Sequence, residues 1–288
     1  MNIGESIKEI RIAKKIPSKV LYKDLLSRPA IARFEKGDSD TGTMKFFALL
    51  ERLNITLEEF EQHLNSRENK DFFYTKEYIE AFYLKDIDKL NELANMADHD
   101  YKRNNLNIKF LHYRAIIHLL IDDIQNTKLY ISEVEILQTY LGTCENWGYY
   151  EITLFSNSLN FYSNEFINIV YKRAKKTLLD FQTFKRYRNE VSLMLFNIME
   201  KKISDGDIDG ATFYLKELNE LKITVIDNMY VQAMIKFFSA IVDIANDDLH
   251  KKSQIEVEKI IDFFYFLDLA FKAEQCQNLY KKVKDMNK

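Results

Sequence analysis

One hexapeptide has the residue types of a metal-binding loop. Asp205-Gly206-Asp207-Ile208-Asp209-Gly210 matches the first half of an EF-hand calcium loop. Such a loop needs a bidentate glutamate at its twelfth position, but Lys216 stands there and Glu217 comes one residue too late. A lysine at a ligand position opposes cation binding. The segment therefore predicts a turn, in which Gly206 ends one helix and Asp207 caps the next.

Other patterns that carry chemistry are missing from the sequence. The five histidines lack the HExxH spacing and have no cysteine at a metal-ligand distance, and there is no GxSxG, Walker or glycine-rich motif. Paired acids such as Asp122-Asp123 stand at predicted helix ends and are interpreted as solvated turns. The sequence therefore predicts no catalytic site, no metal and no cofactor, and a protein that is not an enzyme.

Charge is distributed unevenly along the chain. Residues 1–37 carry nine Lys or Arg against four acids, a net charge of +5, whereas the whole chain has a net charge of −3. Residues 38–65 and the remaining 223 residues are each net −4. A basic first segment on an acidic body suggests a small nucleic-acid-binding head joined to a body with another role.

The most informative local pattern is a short predicted helix over residues 28–35. Ser27 suits the N-cap, Pro29 the first turn and Gly37 the stop. At 100° per residue, one arc holds the residues expected to be buried, Ala30, Ile31 and Phe34. The opposite arc holds the residues expected to face solvent, Arg28, Pro29, Ala32, Arg33 and Lys36.

Two interpretations account for this basic helix. After another short helix and a tight turn, it has the arrangement of a helix-turn-helix, in which Arg contacts guanine and Lys contacts phosphate. The alternative is a plain helical bundle with a solvated basic face. The helix-turn-helix interpretation predicts phosphate contacts from Arg11, Lys14, Lys19, Ser27, Lys36 and Lys45.

Residues 26–37, Leu-Ser-Arg-Pro-Ala-Ile-Ala-Arg-Phe-Glu-Lys-Gly, contain the pattern L-S-x-x-x-I-x-R-F-E-x-G. This pattern resembles the head of the Rgg/GadR/MutR regulators, which join a helix-turn-helix to a helical-repeat body. The resemblance implies that the base-contacting positions are Arg28, Pro29 and Arg33. Pro29 has no side-chain donor, so direct readout is expected to depend on the two arginines.

Composition predicts an all-α fold. The chain has 7 Gly and 2 Pro, too few for the turns of β and α/β folds. From residue 107 the predicted helices pair about every 36 to 42 residues, as in a tetratricopeptide-like solenoid. The expected organisation is a helix-turn-helix domain at 1–65, a polar hinge at 66–72 and a helical-repeat ligand-binding and dimerisation domain at 73–288.

Stacked helical hairpins form a concave face that typically holds an extended peptide or a partner helix. The resemblance implies that this face binds a short secreted and reimported signalling peptide. An Asn amide can both donate to and accept from a peptide backbone. The alternative at each position is an ordinary solvated Asn or half-buried Tyr. The candidate peptide-binding residues are Tyr150, Asn157, Asn160, Phe161, Arg186, Arg188, Asn197 and Tyr230.

The expected setting is cytoplasmic, without a membrane span. Cys144 and Cys276 are too few for a disulfide scaffold, and no long apolar run is present. Helix-turn-helix heads usually work in pairs, so a non-covalent homodimer is expected. The candidate interface is an apolar band within residues 260–271, although the band could instead close the last layer of the solenoid.

The sequence thus favours a DNA-binding transcription regulator whose activity a bound peptide controls. The alternative is an interaction protein whose solenoid captures and inhibits another protein, with the head as a docking module. The net charge of residues 1–37 and the exposed face with Arg28 and Arg33 favour DNA.

Overall fold

The predicted all-α architecture is confirmed. A computed structural model describes residues 2–64, 70–180, 185–220, 229–246 and 251–286, which form sixteen α-helices and one short 3-10 helix, with no strand in those ranges. No described helix has the length and apolarity that a membrane span requires. The chain divides into two units, Met1–Ile79 and Glu80–Lys288.

Five short helices of the first unit close around one apolar core. Helices α1 to α5 span Ile3–Ala13, Ser18–Leu21, Arg28–Lys36, Thr43–Leu53 and Leu57–Leu64. Each of them, or the turn that follows it, contributes to a cluster of buried side chains, so the unit has its own hydrophobic core. The cluster consists of Ile7, Ile10, Leu21, Tyr22, Phe34, Leu49, Leu50, Leu53 and Phe60.

Two glycines let α1 and the end of α3 approach closely. A Cβ at Gly4 would lie 1.7 Å from the carbonyl oxygen of Phe34, so any larger residue would force the helices apart. Gly37 ends α3 as predicted, with φ 81°, and a Cβ there would lie 1.7 Å from the Asn2 amide. The position of α3 is therefore fixed by backbone contact with α1.

The predicted hinge lies largely outside the described residues. Of residues 66–72, only 70–72 are described, and their backbone belongs to helix α6, Lys70–Tyr83. The predicted boundary between the two domains therefore stays a prediction.

Helices α7 to α16 build the second unit. They span Ile87–Arg103, Lys109–Gln125, Glu133–Thr143, Tyr149–Ser158, Asn164–Asp180, Lys185–Ser204, Ile208–Glu220, Met229–Asn246, Lys251–Phe266 and Ala270–Met286. A 3-10 helix, Leu159–Phe161, follows α10 directly.

These helices pack in two layers, as expected for stacked hairpins. In one layer α8 packs on α10, α10 on α12, α12 on α14 and α14 on α16. In the other, Arg173 of α11 donates to the Gly142 carbonyl of α9, and Tyr171 of α11 donates to Glu217 of α13 at 2.8 Å. From α8 to α16, every second helix thus contacts the next one in its layer, and α9, α11 and α13 are linked in the other layer, which is the organisation of a solenoid.

In two turns between helices, an aspartate carboxylate accepts hydrogen bonds from backbone amides. Asp207 caps α13 as predicted, accepting from the Gly210 amide at 2.9 Å, and its other oxygen pairs with the buried Lys202 at 2.8 Å. The interpretation of Asp122 as a solvated residue is wrong. Asp122 is buried and accepts hydrogen bonds from the Leu129 and Tyr130 amides, because the chain after α8 turns back over its carboxylate.

The apolar band of residues 260–271 divides between the two roles considered for it. Ile260, Ile261 and Phe264 are buried and close the last layer. The other part is exposed at the turn between α15 and α16, where Phe271 packs its ring against Tyr83 at 4.4 Å. We call this exposed set the C-terminal apolar patch: Tyr83, Leu84, Tyr265, Phe266, Leu267, Leu269 and Phe271.

Candidate functional sites

Helix α3 presents the arrangement that the sequence predicts. Phe34 is buried in the core, and Ala30 and Ile31 are half-buried beneath the helix. The opposite side is exposed and carries Arg28, Pro29, Ala32, Arg33 and Lys36. Neither Arg28 nor Arg33 has an ion-pair partner among the described residues, so both guanidinium groups point to solvent with their hydrogen-bond donors available.

Arg11, predicted to contact phosphate, is placed in a salt bridge inside the first unit. Its Nε lies 2.8 Å from Oε1 of Glu35 and its Nη2 3.1 Å from Oε2, and Nη1 donates to the Ile16 carbonyl at 3.2 Å. The Arg11 and Glu35 side chains are only 14% and 12% exposed. This bidentate pair ties α1 to α3 and neutralises the Arg11 charge.

The other predicted phosphate-contacting residues are exposed. Lys19 lies on α2, Lys45 on the first turn of α4, and Lys14 donates to the Asn54 carbonyl at 3.3 Å. Lys36 approaches Asp38 at 3.5 Å. Ser27 occupies the N-cap position of α3 as predicted, but its hydroxyl makes no capping hydrogen bond to the described backbone.

In the second unit, aromatic side chains tie α10 to α12. The Tyr187 hydroxyl of α12 accepts from the Tyr149 amide at 3.0 Å, where α10 begins. The Tyr149 hydroxyl in turn donates to Glu190 of α12 at 3.1 Å. These two links hold the starts of the two helices together. The sequence contained no spacing that could indicate them, because the partners are about 40 residues apart.

A buried histidine links α8 to the same region. Nδ1 of His112 lies 2.7 Å from the Tyr150 hydroxyl, and its ring packs on Tyr140 at 4.5 Å. Its Nε2 is buried and has no hydrogen-bond partner among the described residues. Burial lowers the pKa of His112 to about 4, so the ring is neutral at physiological pH. The Tyr140 hydroxyl donates to Glu151 at 2.6 Å.

The predicted peptide-binding residues lie on neighbouring helices of one layer. On α10 and the 3-10 helix, Tyr150, Asn157 and Phe161 are half-buried and Asn160 is exposed. Asn197 of α12 is exposed, and Tyr230 of α14 is half-buried. The side chains of Arg186 and Arg188 lie outside the described part of α12. The packing of α10 on α12 and α12 on α14 brings these helices together.

An acidic side chain that the sequence analysis did not single out also lies on α12, beyond Asn197. Glu200 is one turn beyond Asn197 and is half-buried, and burial raises the pKa of its carboxyl group above the usual range. Nearby, Lys272 of α16 donates a hydrogen bond to Gln275 at 3.1 Å, and its Nζ lies 5.9 Å from the centre of the Tyr230 ring. Polar groups of three helices therefore meet at this end of the layer.

Solved structures share this fold over nearly the whole chain. The Streptococcus dysgalactiae SHP pheromone receptor Rgg2 is 20% identical, with 98% of this chain and 99% of that chain covered and a TM-score of 0.75. A candidate transcriptional regulator from Listeria monocytogenes EGD-e is 20% identical over 99% and 97%, with a TM-score of 0.83. A bacterial peptide pheromone/receptor complex is 15% identical over 98% of both chains, with a TM-score of 0.76.

The family is established by the second unit rather than by the head. Residues 87–278 match the family described as HTH-type transcriptional regulator Rgg, C-terminal domain. That match spans the two-layer stack from α7 into α16 and covers more than half of the chain. Together with an exposed basic α3 on a separate helical unit, it shows that this chain belongs to the Rgg family of helix-turn-helix transcriptional regulators.

Proposed function

We propose that this regulator binds operator DNA through α3 and that a short signalling peptide, bound on the layer formed by α10, α12 and α14, controls its activity. The observation that carries the DNA half is the exposed pair Arg28 and Arg33 on a helix that Arg11 and Gly4 hold in place. Two guanidinium groups on one rigid helix can each make the bidentate contact that guanine offers in the major groove.

We assign the phosphate contacts to exposed basic residues and Ser27 of the first unit. Lys14, Lys19, Ser27, Lys36 and Lys45 are exposed on the same unit, and Ser27 has a hydroxyl that does not cap its own helix. Arg11 is left out because its charge is already paired with Glu35. The resulting contacts position the head on the duplex without selecting sequence.

The peptide is assigned to the second unit by the exposed and half-buried polar side chains of one layer. Asn157, Asn160 and Asn197 offer amide donors and acceptors for an extended backbone, and Tyr150 and Tyr230 offer aromatic surface. The solved relatives named as pheromone receptors share the fold of this unit. The rival function, capture of another protein, is not favoured because the family is one of transcription regulators.

Control by the peptide would operate as a population shift. A peptide that binds one arrangement of the stack more tightly favours that arrangement, and in a homodimer this changes the spacing of the two heads on DNA. The dimer is assigned to the C-terminal apolar patch, because a cluster of exposed aromatic and aliphatic side chains of this kind marks an interface. The proposed location is cytoplasmic.

The test starts with the intact chain and a pool of random duplex DNA. Repeated capture should enrich one sequence, and its retardation should weaken steeply as salt rises. A library of short linear peptides, added to that complex, should contain members that change its affinity. Recovery of no preferred sequence would overturn the DNA half of the proposal, and a preferred sequence whose binding no peptide alters would overturn the peptide half.

A further inference from the structure

The exposed face of α3 contains a small apolar surface, formed by Pro29 and Ala32, between its two arginines. Pro29 and Ala32 are both exposed and carry no polar side-chain atom. They are three residues apart, which makes them neighbours on a helix surface. Arg28 lies four residues before Ala32, and Arg33 lies four residues after Pro29. The two apolar residues therefore occupy the middle of the face, with a guanidinium group on either side.

This apolar surface has no side-chain donor or acceptor with which to bind a polar base edge. Proline lacks even the backbone N–H, so the start of α3 has one donor fewer than most helices. In the major groove, the edges of cytosine, adenine and guanine are distinguished by hydrogen-bond donors and acceptors, whereas thymine adds a C5 methyl group. An apolar side chain against a polar edge removes water from it without replacing the hydrogen bond, which is unfavourable. Against the thymine methyl the same side chain gains contact.

The surrounding structure fixes the position of Pro29 and Ala32 relative to the rest of the first unit. Contact between apolar groups weakens with a gap of less than 1 Å, so recognition of one methyl needs a rigid support. The Arg11–Glu35 salt bridge and the close approach of Gly4 to Phe34 fix α3 against α1. Pro29 also has its own φ angle fixed by its ring.

We propose that Pro29 and Ala32 select thymine by contact with its C5 methyl group, between positions where Arg28 and Arg33 select guanine. This inference rests on the proposed function, in which α3 enters the major groove. It makes Ala32 a specificity-determining residue, although Ala32 has no group that could form a hydrogen bond to DNA.

The test replaces thymine by uracil, which differs only by the methyl group. The intact chain is first used to enrich a site from random duplex DNA, and each thymine of that site is then replaced in turn. Uracil should weaken binding about fourfold, the effect of burying one methyl-sized group, at one or two positions in each half-site. At the remaining thymines the same replacement should leave the affinity unchanged.

Two variants assign the effect to its residues. Ala32→Gln and Pro29→Gln should each abolish the uracil effect at one position, and Ala32→Gln should shift the preference there towards adenine, which Gln contacts bidentately. Ala13→Gln, at an exposed alanine at the end of α1, is the matched control and should retain the full uracil effect.

The outcomes separate this inference from the proposed function. An enriched site whose affinity changes less than twofold with uracil at every position overturns the thymine contact and leaves the DNA-binding proposal standing, provided that Arg28→Ala still relaxes specificity. A uracil effect that both Gln variants retain also overturns the inference, since the methyl contact would then come from another residue. Failure to enrich any site overturns both proposals.

Discussion

Arg11 of α1 and Glu35 of α3 form a bidentate salt bridge, which joins α1 to the helix that faces DNA in the proposed function. Its two N–O distances are 2.8 Å and 3.1 Å, and both side chains are mostly shielded from solvent. Glu35 lies on the helix between Phe34, which is buried in the core, and the exposed Lys36. The bridge therefore connects the exposed basic face of α3 to the rest of its unit.

Arg11→Met should destabilise the first unit by about 2–3 kcal/mol, because it leaves the Glu35 carboxylate shielded and without its hydrogen-bond partner. The double variant Arg11→Met/Glu35→Leu should recover most of that loss, since two apolar side chains can replace a shielded ion pair. Hydrogen exchange of the α3 amides in the intact chain measures the effect. The exposed pair Lys36–Asp38 supplies the control, and Lys36→Met should leave exchange unchanged. Equal exchange in the single and double variants would contradict a role for the pairing itself.

Arg28→Ala and Arg33→Ala should each weaken binding to the enriched DNA site by about 1–3 kcal/mol and relax specificity, with a smaller effect on random DNA. Lys14→Ala and Lys19→Ala should instead weaken both kinds of DNA alike and reduce the salt slope by about one. Retardation at several salt concentrations distinguishes the two classes. Equal losses on both DNAs for the arginine variants would remove Arg28 and Arg33 from base readout.

Asn157→Ala, Asn160→Ala and Asn197→Ala should each weaken binding of an active peptide by about 1 kcal/mol, the net worth of one hydrogen bond. Calorimetric titration of the intact chain measures the loss, and circular dichroism should show unchanged helicity. Asn95→Ala, at an exposed position on α7, is the matched control and should bind as the natural chain does. Unchanged affinity in all three variants would locate the peptide elsewhere.

The stability of the second unit should fall as the pH decreases from about 6.5 to about 4, in part because of His112. Burial lowers the pKa of this histidine to about 4 in the folded chain, so between those values only the unfolded chain binds the proton. The contribution is about 3 kcal/mol at most. His112→Gln should flatten this part of the thermal-unfolding profile, whereas His99→Gln, at an exposed position on α7, should not. Identical pH profiles for the natural chain and His112→Gln would show that the His112 proton is not coupled to folding.

Phe266→Glu should convert the proposed dimer to a monomer while leaving the fold intact, because this side chain is 82% exposed. Sedimentation at micromolar concentration, with reductant present, measures the change. Leu129→Glu is the matched control, since Leu129 is 73% exposed outside the C-terminal apolar patch. A natural chain that sediments as a monomer and still binds its DNA site would contradict the dimer.

The sequence determined those features that depend on nearby residues. The scarcity of Gly and Pro predicted the all-α fold, helical spacing predicted which side of α3 is exposed, and Gly37 and Asp207 predicted a helix end and a helix start. Each follows from the backbone preferences and periodicity of one segment. The resemblance of residues 26–37 also indicated the family, to which the match over residues 87–278 assigns the chain.

Only the tertiary structure decided which polar groups meet. Arg11 has the charge and the hydrogen-bond donors expected of a phosphate-contacting residue. Its pairing with Glu35, 24 residues away, depends on how α1 crosses α3. Asp122 is a charged residue of the kind usually found in solvent, but the chain that folds back over it supplies backbone amide donors. Partners of this kind are set by the packing of whole helices, and side-chain spacing along the sequence carries no information about it.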